Sequence, residues 1–462
     1  MNPVLSMRRG TGPSRWDKDQ VLDEIAHSYN VAQFASFGPD LRSRFSRIKG
    51  LMPNAQFVSV HDAAAALLQR SSESSANIRS FSPLSFQSRE FLYGIESADE
   101  VVTHVTRLAA EGLYTIVNET IDIKDGGVSG VVLDNVIEFS PNATPRCVEE
   151  PDVAALPREL GIRMLETVYG FRPSLESDGG KRVEFSVHPM RRGWRDDHTI
   201  VWEMERIVAP TVTVVPSWPN RFSRHIGDKV YGLLIGCLVG LDVPRTLVIA
   251  RRVAPFAFGR ATGTAEVWTR TSPADPQPGR FSTTRGWSDP FALFAREDPL
   301  ATELASVLAQ EGVEPSYSGA LVSERGGRVT IEGVAGTGDA FMMGKRAPEQ
   351  LPRAVLDAVT KAYQRAAEIL GPVKLEWCLD QARVWILQLH CGVTESVGRT
   401  IVPGDAAEFR RFHVERGITE FREFVADAAK AKHGVVLVGR VGTTSHFGDI
   451  LRRAAVPSRV EY

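Results

Sequence analysis

The stretch HIGDKVYGLLIGCLVGLDVPRTLVI, residues 225–249, decides the reading of this chain. Tyr231–Leu241 is an eleven-residue apolar run, too short for a membrane span of about 20 residues and suited to a buried helix. Arg245–Ala250 then reads as a buried strand. A buried helix followed by a buried strand opens a region in which the two alternate.

Outward from that core, residues 225–395 alternate helix and strand patterns. Leu351–Leu370 is amphipathic, and VKLEW and VWILQL follow as strands. The Pro-, Gly-, Thr- and Ser-rich stretch 272–290 predicts a long loop of the functional kind. The two prolines of VVPSWPNRFSR, 214–224, suggest a boundary before this unit.

The earlier part reads as α+β. Residues 17–70 predict helix for the most part, and Ser71–Ala76 a polar break. Helices are expected over 98–112 and 156–169. TIVNETIDIKDGGVSGVVLDNVIEF, 115–139, alternates like paired strands around Gly126-Gly127. A turn-rich stretch at 172–182 leads to the strands VEFSV and TIVWEME. Between them HPMRRGWRDDH, 188–198, carries Arg191, Arg192, Arg195, Asp196 and Asp197, and is expected to be a solvated hairpin tip, with an anion site as the alternative. After 395, the stretch 405–431 predicts helix, VVLVG a strand, and the residues from Phe447 a last helix. VSGV at 128–131 and YSGA at 317–320 are too short to establish a repeat.

Composition bounds the function. The chain has 462 residues, 43% hydrophobic and 24% charged, so it can bury sizeable cores and is not disordered as a whole. Its 54 basic and 56 acidic residues leave a net charge of -2, which argues against a dedicated nucleic-acid or membrane binder. Cys147, Cys237, Cys378 and Cys391 form no CxxC pair, so neither a disulfide scaffold nor a cysteine-rich zinc site is expected. Residues 1–15 read as a loose tail without the apolar stretch of a signal peptide, and the expected compartment is a reducing cytoplasm. The chain has no GxxxxGK[ST] loop, no GxSxG elbow and no HExxH pair, and GVAGTGDAF at 333–341 lacks the third glycine of a dinucleotide fingerprint.

Five segments, read in order, carry a resemblance. They are residues 225–249, VWTRTSP at 267–273, LAQEGVEPSYSGAL at 308–321, IEGVAGTGDAFMMGKRAPE at 331–349, and KLEWCLDQARVWILQLH at 374–390. Together they resemble the nucleotide-binding half of the pyruvate phosphate dikinase and phosphoenolpyruvate synthase family, whose relatives include rifampin phosphotransferases. The resemblance implies an ATP-grasp fold that binds ATP and Mg²⁺. It assigns Lys229 and Arg270 to the phosphates and to catalysis, and Gln310, Glu332 and Gln388 to ATP. Ser318-Gly319 matches the family's paired strand, and the glycines after Glu332 would let the backbone pass close to the ligand. Glu376 and Gln388 would hold Mg²⁺, for which one carboxylate, one amide, phosphate oxygens and water suffice. Two positions depart from the family pattern. Lys374 stands where an aspartate is usual, and Gln388-Leu389-His390-Cys391 lacks the family's arginine.

GTTSHFGDILRRAAVPS, 442–458, resembles the swivelling phosphohistidine domain of the same enzymes, through Thr444-Ser445-His446, Arg452 and Val456-Pro457. The resemblance makes His446 a phosphoryl carrier, with Arg452 near the phosphate and 405–431 as the connecting arm. Phe447, Gly448 and Asp449 replace the usual small residues.

The expected architecture is thus α+β and α/β multidomain: an N-terminal α+β domain (1–220) of unassigned role, an ATP-grasp domain (221–398), and a helical arm with a shortened swivelling-domain-like tail (399–462). The expected function is ATP- and Mg-dependent phosphoryl transfer through His446 to an unidentified small-molecule or protein acceptor, with a homo-oligomer or protein partner left open. Two alternatives stand beside it: an ATP-grasp carboxylate–amine ligase working through an acyl phosphate, and an ATP-binding regulatory protein whose catalysis has decayed.

Overall fold

A computed structural model describes residues 17–85, 88–144, 152–176, 180–206, 214–277, 280–281, 283–381 and 383–461. The tail 1–15, Cys147, and parts of the 172–182 and 272–290 stretches lie outside these residues. The chain divides into two compact units.

The first unit comprises 1–132, 142–146 and 174–208. Its antiparallel sheet runs in the order Ser43–Arg47, Phe34–Phe37, Tyr114–Glu119, Ala76–Phe81, Ser88–Ile95. Helices Val60–Arg70 and Ala98–Ala110 bury Ala63, Leu67, Val101 and Val105 in the core shared with this sheet. Helix is therefore confined to Lys18–Ser28 and Val60–Arg70 within the stretch expected to be mostly helical. Phe34–Phe37 is buried along its whole length as an inner strand, which favours aromatic residues and overrides local helix propensity. Tyr114–Glu119 pairs with Phe34–Phe37 and Ala76–Phe81, not with a strand across Gly126-Gly127.

Lys181–Arg192 and Asp197–Arg206 form the expected antiparallel hairpin. Its tip is partly solvated, with Arg191 and Arg195 exposed, but it is also tied down. Arg192 is buried and reaches Glu73 at 2.7 Å, and Arg195 donates to the carbonyls of Ala26 and His27 at the end of the first helix.

The second unit comprises 133–141, 147–173 and 209–462. The expected boundary near 220 therefore fails for the helix Arg158–Tyr169, whose Arg163 donates to the Leu238 carbonyl. One antiparallel sheet runs Phe256–Phe258, Thr246–Ala250, Leu304–Glu311, Val267–Pro273, Thr283–Arg285. A second runs Val329–Ala335, Tyr317–Ser323, Val373–Leu379, Val384–Cys391. The helix Asp228–Leu238, expected from the apolar run, packs on Val384–Cys391 so closely that a Cβ on Gly232 would lie 2.0 Å from the Leu389 carbonyl oxygen.

The tail has its own core. Its sheet runs Thr400–Val402, Ser458–Glu461, Gly434–Val438, Phe409–His413, with the last three strands parallel. Helices Ile418–Ala431 and His446–Ala454 cover it through Phe421, Val425, Phe447 and Leu451. The expected arm over 405–431 is thus a strand followed by a helix that belongs to this core. The FRRFH run pairs in parallel with Gly434–Val438, a long-range contact that its own spacing does not reveal. No helix among the described residues is long and apolar enough to cross a membrane.

Candidate functional site

A cavity of about 940 Å³ in the second unit is lined from both antiparallel sheets and from the tail. Lys229, Arg270, Glu376, Gln388 and His446, which the sequence scatters over more than two hundred positions, all line it.

Each side chain is placed by a local cause. Lys229 is the second residue of Asp228–Leu238, entered through Gly227 at a φ of +100°, where a Cβ would meet Ser272 Oγ at 2.4 Å. Its backbone N–H donates to Ser272 Oγ at 3.2 Å and its Nζ to the Thr271 carbonyl at 3.3 Å. Burial and the neighbouring Arg270 push the Lys229 ammonium down to about 8, against the pull of Glu376, Asp228 and Glu297. Arg270, on strand Val267–Pro273, donates to the Leu387 carbonyl at 3.3 Å, while its buried Nε has no hydrogen-bond partner. Burial also lowers its pKa, with Glu376 and Asp339 acting the other way. The two cations depress each other's charge, and Glu376 is the acidic neighbour they share.

Strand alternation builds the opposite wall. Leu375 and Trp377 are buried, so Lys374 and Glu376 share the other face. Lys374 pairs in register with His390 and Glu376 with Gln388, giving a patch of four polar residues on one face. His390 Nδ1 lies 3.3 Å from the buried Asp228. Burial opposes its charge, but Asp228, Glu376 and Asp449 raise its pKa overall. Lys374 lies 3.8 Å from Asp449 in the first turn of the His446 helix. Burial lowers the Lys374 pKa although Asp449 stabilises its charge. For Asp449, Lys374, Arg452, His446 and His390 together outweigh burial and hold the carboxyl low.

His446 opens the helix His446–Ala454 after Ser445, whose hydroxyl does not cap the helix but donates to the Gly442 carbonyl at 2.7 Å. The buried Nδ1 of His446 has no hydrogen-bond partner. Arg452 lines the cavity, yet its guanidinium is committed to Thr394, Ser396, Asp449 and the Thr443 carbonyl.

Two of the expected nucleotide ligands do not line this cavity. Gln310 is 1% exposed and its amide donates to Thr246 Oγ1 at 3.4 Å within the first sheet. Glu332 turns both carboxylate oxygens to Thr443 and Thr444. Conversely, Asp228 and Asp449 carry much of the cavity's electrostatics and were not singled out as site residues. Their only sequence signal is adjacency, Asp228 to Lys229 and Asp449 one turn after His446.

For a metal, no group of three or more His, Cys, Asp or Glu among the described residues could hold an ion by itself. Glu376 and Gln388 side by side offer one carboxylate and one amide oxygen, a donor set that fits hydrated Mg²⁺ completed by phosphate and water.

The first unit holds an Asp125–His188–Ser186 chain, with 2.9 Å from Asp125 to His188 Nδ1 and 2.8 Å from His188 Nε2 to Ser186 Oγ. Ser186 and His188 are each 2% exposed, and Ser186 Oγ also accepts from the Trp202 indole. The order of groups is that of a nucleophilic triad. Its burial and saturation make it a structural network.

No protein-family model matches the chain, and no curated protein matches it. Among solved structures it is similar to a D-alanine–D-alanine ligase from Helicobacter pylori, at 9% identity, over 37% of this chain and 52% of that one, with a TM-score of 0.25. It is also similar to an ATP-grasp RimK domain protein from Sphaerobacter thermophilus, at 17% identity, over 36% and 58%, with a TM-score of 0.23. A D-alanine–D-alanine ligase from Bacillus anthracis, solved with ATP, matches at 9% identity over 34% and 53%, with a TM-score of 0.23. The chain spans between half and three-fifths of these proteins, which are ligases or ATP-grasp proteins rather than dikinases. Identities and TM-scores this low assign the chain neither a fold nor an activity.

Proposed function

We propose that the chain is an ATP-dependent enzyme in which Mg–ATP occupies the 940 Å³ cavity, in an ATP-grasp arrangement, and that His446 takes a phosphoryl group there. One observation carries this reading: Lys229, Arg270, Glu376, Gln388 and His446 line the same cavity. Lys229 and Arg270 offset the charge of the phosphates and orient the group in transfer. Mg²⁺ held between Glu376, Gln388 and phosphate oxygens would neutralise further charge.

His446 acts through Nε2. Its Nδ1 keeps the proton, and the Nε2 lone pair forms a bond to phosphorus while the bond from phosphorus to the bridging oxygen breaks. The electron pair leaves with that oxygen. Attack on the γ-phosphorus releases ADP; attack on the β-phosphorus releases AMP and leaves a pyrophosphoryl group on Nε2, whose terminal phosphoryl then passes to water as inorganic phosphate. His446 is the first residue of the helix His446–Ala454, the end of a helix that favours negative charge. The acceptor in the second half-reaction is a small molecule or a protein group that reaches this cavity.

A second reading has its own support. Lys374, where the dikinases carry an acid, lines the cavity together with Arg453. Both could orient a substrate carboxylate, as a carboxylate–amine ligase requires. That carboxylate would attack the γ-phosphorus and release ADP, and an amine would then displace phosphate from the acyl phosphate.

Incubation with Mg²⁺ and β- or γ-labelled ATP separates the readings. The relay gives acid-labile, base-stable label on the protein, lost in His446→Ala with ATP binding retained. The ligase leaves the protein unlabelled and yields a hydroxamate when hydroxylamine is added with the right carboxylate. Binding without turnover under either condition would favour a regulatory role.

A further inference from the structure

The carboxylate of Glu332 has an unusual occupation. Its Oε2 accepts from the backbone N–H of Thr444 at 2.8 Å and from the Thr444 hydroxyl at 2.7 Å. Its Oε1 accepts from the backbone N–H of Thr443 at 3.2 Å and from the Thr443 hydroxyl at 3.3 Å. Glu332 lies on strand Val329–Ala335 of the second sheet, more than a hundred residues before the turn it holds. That turn leads straight into His446.

The fit around the contact is close. A Cβ on Gly442 would lie 2.6 Å from Glu332 Oε2 and 2.8 Å from the Phe341 ring, so only glycine lets the turn approach. From the far side, Arg452 donates to the Thr443 carbonyl at 2.5 Å and to Thr394 and Ser396 at 3.0 Å. The same two residues, Thr443 and Thr444, are thus held by an anion through their N–H and hydroxyl groups and by a cation through a carbonyl. Hydrogen bonds to charged groups are the stronger class, and several on one short turn leave it little freedom.

We propose that Glu332 is the positioning residue of the carrier histidine: it fixes the Thr443-Thr444 turn against the nucleotide sheet, so that His446 is held at the cavity before ATP arrives. This rests on the relay reading of His446. It gives Glu332 a role other than contact with nucleotide. It also means that the first transfer needs no swing of the tail; release of this turn from Glu332 is required only if the phosphorylated histidine has to travel to its acceptor.

The test uses the full chain and the variants Glu332→Gln, Glu332→Asp and Thr444→Val, with three readouts: ATP affinity, the single-turnover rate of protein labelling from ATP, and hydrogen exchange of the peptide spanning 440–447. Glu332→Gln keeps the size and loses the charge. It is expected to leave ATP affinity unchanged, to speed exchange of this peptide about tenfold or more, and to slow labelling by about a hundredfold, the cost of misplacing a reacting group by an ångström. Glu332→Asp should recover part of the rate, and Thr444→Val, which removes one hydroxyl donor and keeps the backbone, should show a smaller loss.

Unchanged exchange in Glu332→Gln would overturn the proposal, because the turn would then not depend on the carboxylate. Faster exchange with an unchanged labelling rate would also overturn it, while leaving the relay intact. Loss of ATP affinity without a change in exchange would return Glu332 to the nucleotide. A parent protein that takes no label removes the relay and this role with it, and that failure is visible in the parent alone.

Discussion

Glu376 and Gln388 are register partners on neighbouring antiparallel strands and both line the cavity. Directly opposed side chains on one sheet face lie about 5 Å apart at their Cβ atoms, within reach of a common ion. Glu376→Gln conserves volume and removes the anion. ATP binding supported by Mg²⁺ is expected to weaken about tenfold, or ~1.4 kcal/mol, while binding of nucleotide without metal changes little. Calorimetric titration at several Mg²⁺ concentrations checks this, and an identical Mg²⁺ dependence in the two proteins would place the cation elsewhere.

Lys229 gives the site a pH dependence. Its ammonium is held at about 8 by burial and by Arg270, so in the free protein it is charged below that pH and neutral above it. ATP needs the charged form. Affinity is therefore expected to be fully present near pH 7 and to decline as pH rises past 8. Lys229→Ala should bind ATP weakly throughout and flatten the profile between pH 7 and 9. Lys229→Arg, which stays protonated, should retain affinity through pH 9. A parent profile without a decline in that window would contradict the assignment.

Gly232 sets the distance between the helix that carries Lys229 and the strand that carries Gln388. Gly232→Ala places a methyl 2.0 Å from the Leu389 carbonyl oxygen, and backbone on both sides leaves it no escape. Overpacking of this kind costs about 1–3 kcal/mol. Chemical denaturation should show that loss, accompanied by weaker ATP binding because both walls of the cavity move.

The tail should prove a well-packed element rather than a loose arm. Phe412 is fully buried, with ring centroids 4.8 Å from Phe421 and 5.1 Å from Phe424. Phe412→Ala is expected to cost about 3–5 kcal/mol, read as loss of hydrogen-exchange protection over 409–438. A negligible effect would mean that the tail core contributes little to its own order.

The sequence was most legible where chemistry and periodicity coincide. The apolar run before Gly240 fixed a helix, and the buried–exposed alternation of VKLEW put Glu376 on the side away from Leu375 and Trp377. Lys229, Arg270, Glu376, Gln388 and His446, assigned through the family resemblance, all line one cavity. Glu332 and Gln310, assigned through the same resemblance, do not line it, because a strand residue's partner depends on what packs against its sheet. Nothing near Glu332 in the chain announces Thr443, and nothing near Gln310 announces Thr246. Phe34–Phe37 and Phe409–His413 were read as helix for the same reason: both owe their conformation to strands far away in sequence. The domain boundary failed because the helix Arg158–Tyr169 belongs by contact to the later unit although it precedes the proline-rich break.

The strand Ser458–Glu461 sits inside its sheet, between Thr400–Val402 and Gly434–Val438, yet follows both in the chain. During synthesis, therefore, Thr400–Val402 leaves the ribosome with no neighbour on that side, and so does Gly434–Val438. The tail's sheet can close only after residue 458 has emerged, and the Thr443-Thr444 turn that Glu332 holds is anchored to a sheet still open until then. The nucleotide-facing strands can already have paired by that time. The His446 side of the cavity is accordingly the last to be built, and a nascent chain halted before 458 exposes two strand edges that would pair with whatever strand comes near.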